Sequence, residues 1–349
     1  MNVTVHQRPG VYSAYDASSV VSGSGAGKQV GLVAVNAKAA ANEVKIVTSY
    51  DGAVNAFGQG TMAELVRLAL KNGAGAVAAV PIAGGEGYAS GFAALEGLED
   101  ITAVICDSTD GDVQKAMKQS VETASANRRE RIAVAAGGAG ETVDELIARA
   151  KALNHERVVL VAPGGVNQNG ETADGLGVAA AVAGAIAGES DPAVPLGGAV
   201  LTGLYGLSGR YSDGEMDRLI LGGVTPVESL AGTVGVVRGV TTRTTTGEAA
   251  DATWRDLTTI RIVDDVIPTL RRALRTKFQR AKNTAQSRGA IRAQVVLELE
   301  NKKAREIITG YENVTVTADS QDPARCLVDF SFTVAHGLNQ IWLTAHITV

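Results

Sequence analysis

The chain has 349 residues, 45% of them apolar and 20% charged, with a formal net charge of −5. That is enough apolar content to bury a core in one large or two moderate domains, and the acidic balance speaks against a general binder of nucleic acid or anionic membranes. Aromatic residues make up only 4% while glycine reaches 41 residues, which favours close small-residue packing over an aromatic-lined ligand pocket.

Residues 1–20 lack helical periodicity. Val3 and Val5 alternate with polar residues, Pro9-Gly10 punctuates, and Val11 and Tyr12 open a second extended run. The pattern predicts an extended arm with a turn, which buries little against itself and therefore implies a partner chain. The opening MNVTVHQRPG lacks a basic stretch followed by an apolar one, so no secretory signal is expected and cytoplasmic synthesis is. SGSGAGKQ at 22–29 has the outline of a phosphate-binding loop, but Ser22 stands where a glycine is required and Gln29 where a magnesium-holding hydroxyl is. It also precedes a strand instead of following one, and a hinge at Ser22–Gly27 between arm and core is the simpler reading.

From Val30 onward, continuous apolar runs alternate with amphipathic ones. Strands are predicted over 29–37, 75–83, 100–108, 128–138 and 155–165. Helices are predicted over 61–73, where Met62, Leu65, Val66, Ala69 and Leu70 share a face, and over 112–127 and 141–153. This alternation predicts an α/β fold whose parallel-sheet core is covered by helices. Residues 175–190 form a further helix of small residues. Its apolar part, Leu176 to Ala187, is broken by Gly177 and Gly184 and is too short to span a bilayer.

At 241–249 the Thr-rich TTRTTTGEA reads as a connector, and two helices and then strands at 312–320, 324–335 and 341–349 follow it. With no helix between them, those strands predict an antiparallel unit, so a smaller α+β C-terminal domain is expected after a boundary near 236–245. The expected organisation is an N-terminal arm at 1–22, an α/β core at 23–238, the C-terminal domain at 239–338 and an arm strand at 339–349. No internal repeat is present.

Candidate chemistry is sparse. GGAGE at 137–141 follows a strand and opens a helix, the right place for a phosphate, but it lacks the full G-x-G-x-x-G spacing. A tight turn with Glu141 near the helix start explains it more simply. The four histidines are scattered, and His155 is expected at a helix end, where a cation suits the dipole. Cys106 and Cys326 lie in apolar runs and are expected to be plain buried thiols. Asp264 and Asp265 are neighbours that would not face each other on a helix, and they are expected as N-terminal acids, because Pro268 and a long helix follow shortly. No catalytic, cofactor-binding or metal-ligating residue is assigned.

The clearest charge feature is 267–289, with Arg271, Arg272, Arg275, Lys277, Arg280, Lys282 and Arg288 and no acid. Read as one helix, it has an apolar stripe of Leu270, Leu274, Phe278, Ala281 and Ala285, with Arg271, Arg275 and Lys282 beside it. An all-basic face on an acidic chain implies an acidic partner.

Three stretches together resemble the contractile phage tail sheath family over nearly the whole chain, although no single motif carries the likeness. They are RPGVYS at 8–13, the passage from APGG at 162–165 to LGGAVLTGL at 196–204, and TTRTTTG at 241–247 followed by TWRDLTTIRIVDDVIPTLRRALRTKF at 253–278 and a β-rich tail. The resemblance implies a structural subunit without cofactor that polymerises with itself as stacked hexameric rings around an inner tail tube. Contraction then drives the tube through a target cell envelope, with baseplate and tail terminator proteins as further partners. Neither nucleic acid nor membrane is bound by the subunit, and the product is a virion tail or a released phage-tail-like particle assembled in the bacterial cytoplasm. The resemblance also implies that the arms, through Val3, Val5, Val11, Tyr12, Ile341, Leu343, Ile347 and Val349, add strands to the C-terminal domains of neighbours. That domain would face the tube through Arg271, Arg275 and Lys282, with Arg272 and Arg280 beside them. The chain is shorter than many sheaths, so an undecorated subunit is expected. The α/β core leaves a second reading open: a Rossmann-like nucleotide-binding protein or enzyme with its ligand at Gly137–Glu141.

Overall fold

The computed structural model describes residues 28–339 and 344; the hinge at Ser22–Gly27 and the arm residues Val3, Val5, Val11, Tyr12, Ile341, Leu343, Ile347 and Val349 lie outside them. Strands β1 (Gln29–Val35), β2 (Lys45–Val47), β3 (Ala76–Ile82), β4 (Ile101–Cys106), β5 (Ile132–Ala136), β6 (Val158–Ala162), β7 (Val200–Leu201), β8 (Val224–Leu230) and β9 (Thr233–Val236) form one sheet in the order 2-3-1-4-5-6-8-9-7. From β3 to β8 the strands run parallel, with antiparallel β2 on one edge and the β9–β7 ribbon on the other. Strands β3, β5 and β6 are buried at every position, which is why their sequences are unbroken apolar runs: helices cover both faces.

The covering helices are α1 (Tyr50–Phe57), α2 (Thr61–Lys71), α3 (Tyr88–Glu96), α4 (Gly111–Ala126), α5 (Val143–Leu153), α6 (Leu176–Gly188) and α7 (Asp213–Leu221). Alternate residues of one strand serve opposite layers. Val30, Leu32 and Ala34 belong to the apolar layer built with α1, α2 and α6, and Val33 belongs to the layer built with α3, α4, α5 and α7. The small residues of α6 let it lie almost against α2: a Cβ on Gly184 would stand 2.3 Å from the Ala69 carbonyl oxygen, and one on Gly188 2.8 Å from the Gly73 Cα.

Sequence periodicity did not mark β2, α1, α3, α7 or the β7–β9 ribbon. The three helices have 8, 9 and 9 residues, too few apolar repeats to register, and α7 betrays itself only by the Ser212–Glu215 capping box at its start.

Beyond the sheet, the Thr-rich connector holds a two-residue hairpin, β10 (Thr245–Thr246) with β11 (Ala249–Ala250). Helices α8 (Leu257–Phe278) and α9 (Ala285–Ala304) and the antiparallel hairpin β12 (Ile308–Ala318) and β13 (Cys326–Val334) follow. Leu257 and Ile260 on α8 still pack into the sheet's core. From Ile262 onward, Ile262, Val266 and Leu270 join Val295, Leu299, Ile307 and Val314 in a separate apolar cluster.

Two expectations for this region are corrected. Helix α8 begins at Leu257, so Pro268 lies inside it and Asp264 and Asp265 are mid-helix residues. The helix tolerates the missing Pro268 N–H, and the Thr269 hydroxyl donates to the Asp265 carbonyl at 2.6 Å. Nor does 267–289 form one helix: α8 stops at Phe278, so Ala281 and Lys282 fall in a turn. The chain reverses there because Thr284 caps α9 through the Ser287 N–H while Asn283 donates to the Pro323 and Arg325 carbonyls at 2.8 and 3.1 Å.

Candidate functional site

At the C-terminal ends of the parallel strands, the turn at Gly137–Glu141 holds its own anion. The Gly138 N–H donates to Glu141 Oε2 at 3.0 Å, and Arg149 grips the same carboxylate while its Nη1 donates to the Thr109 carbonyl at 2.7 Å. Helix α5 is capped separately by Thr142 with Glu145. A carboxylate therefore sits where a phosphate would have to bind, and its like charge opposes the nucleotide reading. Gly137 is needed for another reason, since a Cβ there would stand 2.6 Å from the Leu146 side chain.

His155 follows the left-handed Asn154 cap of α5, but it does not serve the helix as a cation. Its Nδ1 accepts from the Arg157 N–H at 3.0 Å and its Nε2 lies 3.1 Å from Glu122. Burial pushes its pKa down, outweighing Glu156 and Glu122. Cys106 is buried, and burial pushes its thiol up to about 12. Cys326, expected to be buried too, is only half-buried because it begins a strand of the two-stranded hairpin.

The paired acids tie α8 to its surroundings. Arg157 donates to Asp264 through both terminal nitrogens at 2.6 and 2.8 Å, and Lys302 on α9 reaches Asp265 at 2.5 Å. Arg261 donates to the Glu189 carbonyl at 3.0 Å, just past the end of α6.

The basic stretch divides into three. Arg271 pairs with Glu130 at 3.0 Å, Lys277 is held by Gln294 at 2.5 Å, and Arg288 donates to Asn283 Oδ1 at 2.9 Å. Arg272 and Arg275 are exposed and line an open cleft of about 550 Å³ between α8 and the loop carrying Arg128 and Arg129. Arg280 and Lys282 stand exposed on the turn beyond α8. Arg128 and Arg129, expected inside the strand at 128–138, stand on the loop before β5, and their part in the cleft was missed.

A second surface is the β12–β13 hairpin. Val328, Phe330, Phe332 and Val334 point half-buried to one side, with the two phenylalanine rings stacked at 6.2 Å, while Leu327, Asp329, Ser331 and Thr333 are exposed. Among the described residues, neither strand has a partner on its outer edge. Also among the described residues, no group of three or more His, Cys, Asp or Glu could hold a metal ion, and no helix is long and apolar enough to cross a membrane.

The molecule thus presents a turn filled by its own carboxylate at the sheet's C-terminal end, a charged cleft at the other end and a β-hairpin whose outer edges are open among the described residues. Family models described as the phage tail sheath protein central domain and the phage tail sheath C-terminal domain match residues 82–242 and 249–348. The chain belongs to the phage tail sheath family and is a structural sheath subunit, not an enzyme. No curated protein matches it in sequence. Among solved structures it is similar to the contracted helical sheath of the anti-feeding prophage, with a TM-score of 0.73 at 16% identity, covering 98% of this chain and 99% of that one. It is also similar to the sheath tail protein of Desulfitobacterium hafniense, with a TM-score of 0.70 at 13% identity, covering 93% of this chain and all (100%) of that one. The contracted PVC sheath complex of an extracellular contractile injection system matches with a TM-score of 0.69 at 17% identity, covering 99% of both chains.

Proposed function

We propose that this sheath subunit polymerises as stacked hexameric rings around an inner tail tube and contracts to drive that tube through a target envelope. The observation that carries the reading is likeness over 98% of the chain to the subunit of a sheath described as helical and contracted. The hairpin supports it: two strands whose outer edges are open among the described residues are a template for β-strand addition, in which main-chain hydrogen bonds supply affinity without a pocket. The N-terminal arm with Val3, Val5, Val11 and Tyr12 and the C-terminal strand with Ile341, Leu343, Ile347 and Val349 are the strands that neighbouring copies would add. A core at 23–238 and a C-terminal domain at 239–338 go with this reading, since the third apolar cluster draws almost wholly on residues 262–334.

The tube contact falls to the free end of the basic stretch, Arg280 and Lys282, since Arg271 is already engaged by Glu130 and Arg272 and Arg275 line the cleft. Such a contact should be polar, because exposed ion pairs contribute only about 0.2–1 kcal/mol each and can be released when the sheath widens. Baseplate and terminator proteins would close the two ends of the polymer, and assembly in the bacterial cytoplasm would precede delivery in a virion tail or phage-tail-like particle. Electron microscopy of the purified full-length chain, alone and mixed with its tube protein, tests the reading. Sixfold tubular polymers are expected, and a chain that stays monomeric at every concentration would sink it.

A further inference from the structure

The cleft between α8 and the loop before β5 has free cations on both walls. Arg128 stands on the core side and Arg272 and Arg275 on the helix side, and among the described residues none of the three has a side-chain hydrogen bond or ion-pair partner. Glu99 and Asp100 border one edge, so the cleft is not a uniform positive trough. Together with a net charge of −5, that border disfavours a polyanion such as nucleic acid and suits a compact acidic protein surface.

The same chain carries such a surface at the other end of the sheet. The cleft lies where the parallel strands begin, beside Ile101 and the segment leading into Ile132. Helices α5 and α7 start where the strands end, and they bring Asp144, Asp213 and Asp217 to one exposed rim. Asp144 is paired with Arg218, but Asp213 and Asp217 have no side-chain hydrogen bond or ion-pair partner among the described residues. Two complementary patches on opposite ends of one chain cannot close a twofold pair. Each contact leaves one free cleft and one free rim, so copies go on adding until the contacts close a ring, or form a helix where they do not.

We propose that the cleft lined by Arg128, Arg272 and Arg275 receives the α5–α7 acidic rim of a second copy of this chain, giving a head-to-tail contact of the sheath lattice. It rests on the reading of the chain as a self-assembling sheath and is separate from the tube contact, which lies on the turn at Arg280 and Lys282. It is also separate from strand addition, which uses the hairpin edge.

The test uses the purified full-length chain without tube, with polymer measured by sedimentation and electron microscopy. R128E/R272E and D213K/D217K change exposed side chains only, and circular dichroism with a thermal melt establishes that each variant folds. Each is expected to raise the critical concentration for polymerisation about tenfold or more, since like charges would then face each other. Mixing the two variants, or placing all four substitutions in one chain, should restore assembly, because every cleft would again meet an opposite rim. Wild-type critical concentrations in both variants, or two folded, defective variants that fail to rescue each other, would overturn the contact. A wild type that forms no polymer at all would overturn the sheath-subunit reading along with it.

Discussion

Arg157, at the foot of β6, and Asp264, in the second turn of α8, meet through two parallel hydrogen bonds of 2.6 and 2.8 Å across 107 residues of sequence. With the two side chains only 12% and 16% exposed, this is a desolvated ion pair that fixes the angle at which α8 leaves the sheet. Removing one partner leaves a buried charge alone, so Arg157→Met or Asp264→Leu should each lose about 3–5 kcal/mol. The double substitution should be far closer to wild type than the sum. Urea denaturation of the four proteins measures this, and additive losses would deny the pair its role.

Two Gly→Ala substitutions should have opposite signs. At Gly184 the new Cβ would meet the Ala69 carbonyl oxygen at 2.3 Å, and backbone cannot step aside, so a loss of about 1–3 kcal/mol or more is expected. Gly289 lies in α9 with nothing within 4 Å of its Cβ position, so Ala there should stabilise by about 0.4–1 kcal/mol. Denaturation midpoints of the two variants, compared with wild type, check both signs.

Stability should fall as pH drops through the histidine range. An unfolded histidine titrates near about 6.5, while burial holds His155 lower in the fold despite Glu122 and Glu156 beside it, with Lys118 and Arg157 reinforcing the effect. The unfolded chain thus takes up the proton first, so this contribution is fully present above about pH 6.5 and lost below it. Denaturation series from about pH 7.5 to about pH 5.5 should show a decline in wild type that His155→Gln lacks. Parallel curves would assign the decline to other groups.

Deleting residues 340–349 should leave folding unchanged and abolish polymers. The segment lies beyond β13, the last described strand. A cooperative melt at the wild-type temperature, with no tubes by electron microscopy, is the expected result. Normal tubes would show that the C-terminal strand does not join the lattice.

Arg280→Glu with Lys282→Glu should stop assembly around the tube while sparing tube-free polymers. Both residues stand on the exposed turn between α8 and α9 and have no side-chain hydrogen bond or ion-pair partner among the described residues. Co-sedimentation with the tube protein reads the first effect and sedimentation alone reads the second. Loss of both, or of neither, would place the tube contact elsewhere.

Local pattern determined the parts of this protein whose physics is local. Unbroken apolar runs such as Val158–Ala162, of strand length and set between helical patterns, read as strands covered on both faces, and Leu176–Gly188, rich in glycine and alanine, reads as a helix suited to close packing on the sheet. The density of cations in 267–289 likewise announced a basic surface. Only the tertiary structure decided how those cations are used. Glu130 lies 141 residues from Arg271, and no spacing rule joins them; Gln294 reaches Lys277 because the chain turns back at Asn283. That turn also took Lys282 off the helix, and the mid-helix position of Pro268 made Asp264 and Asp265 struts, not caps. A side chain's charge is written in its residue type, but whether that charge is free depends on what folding brings within about 4 Å.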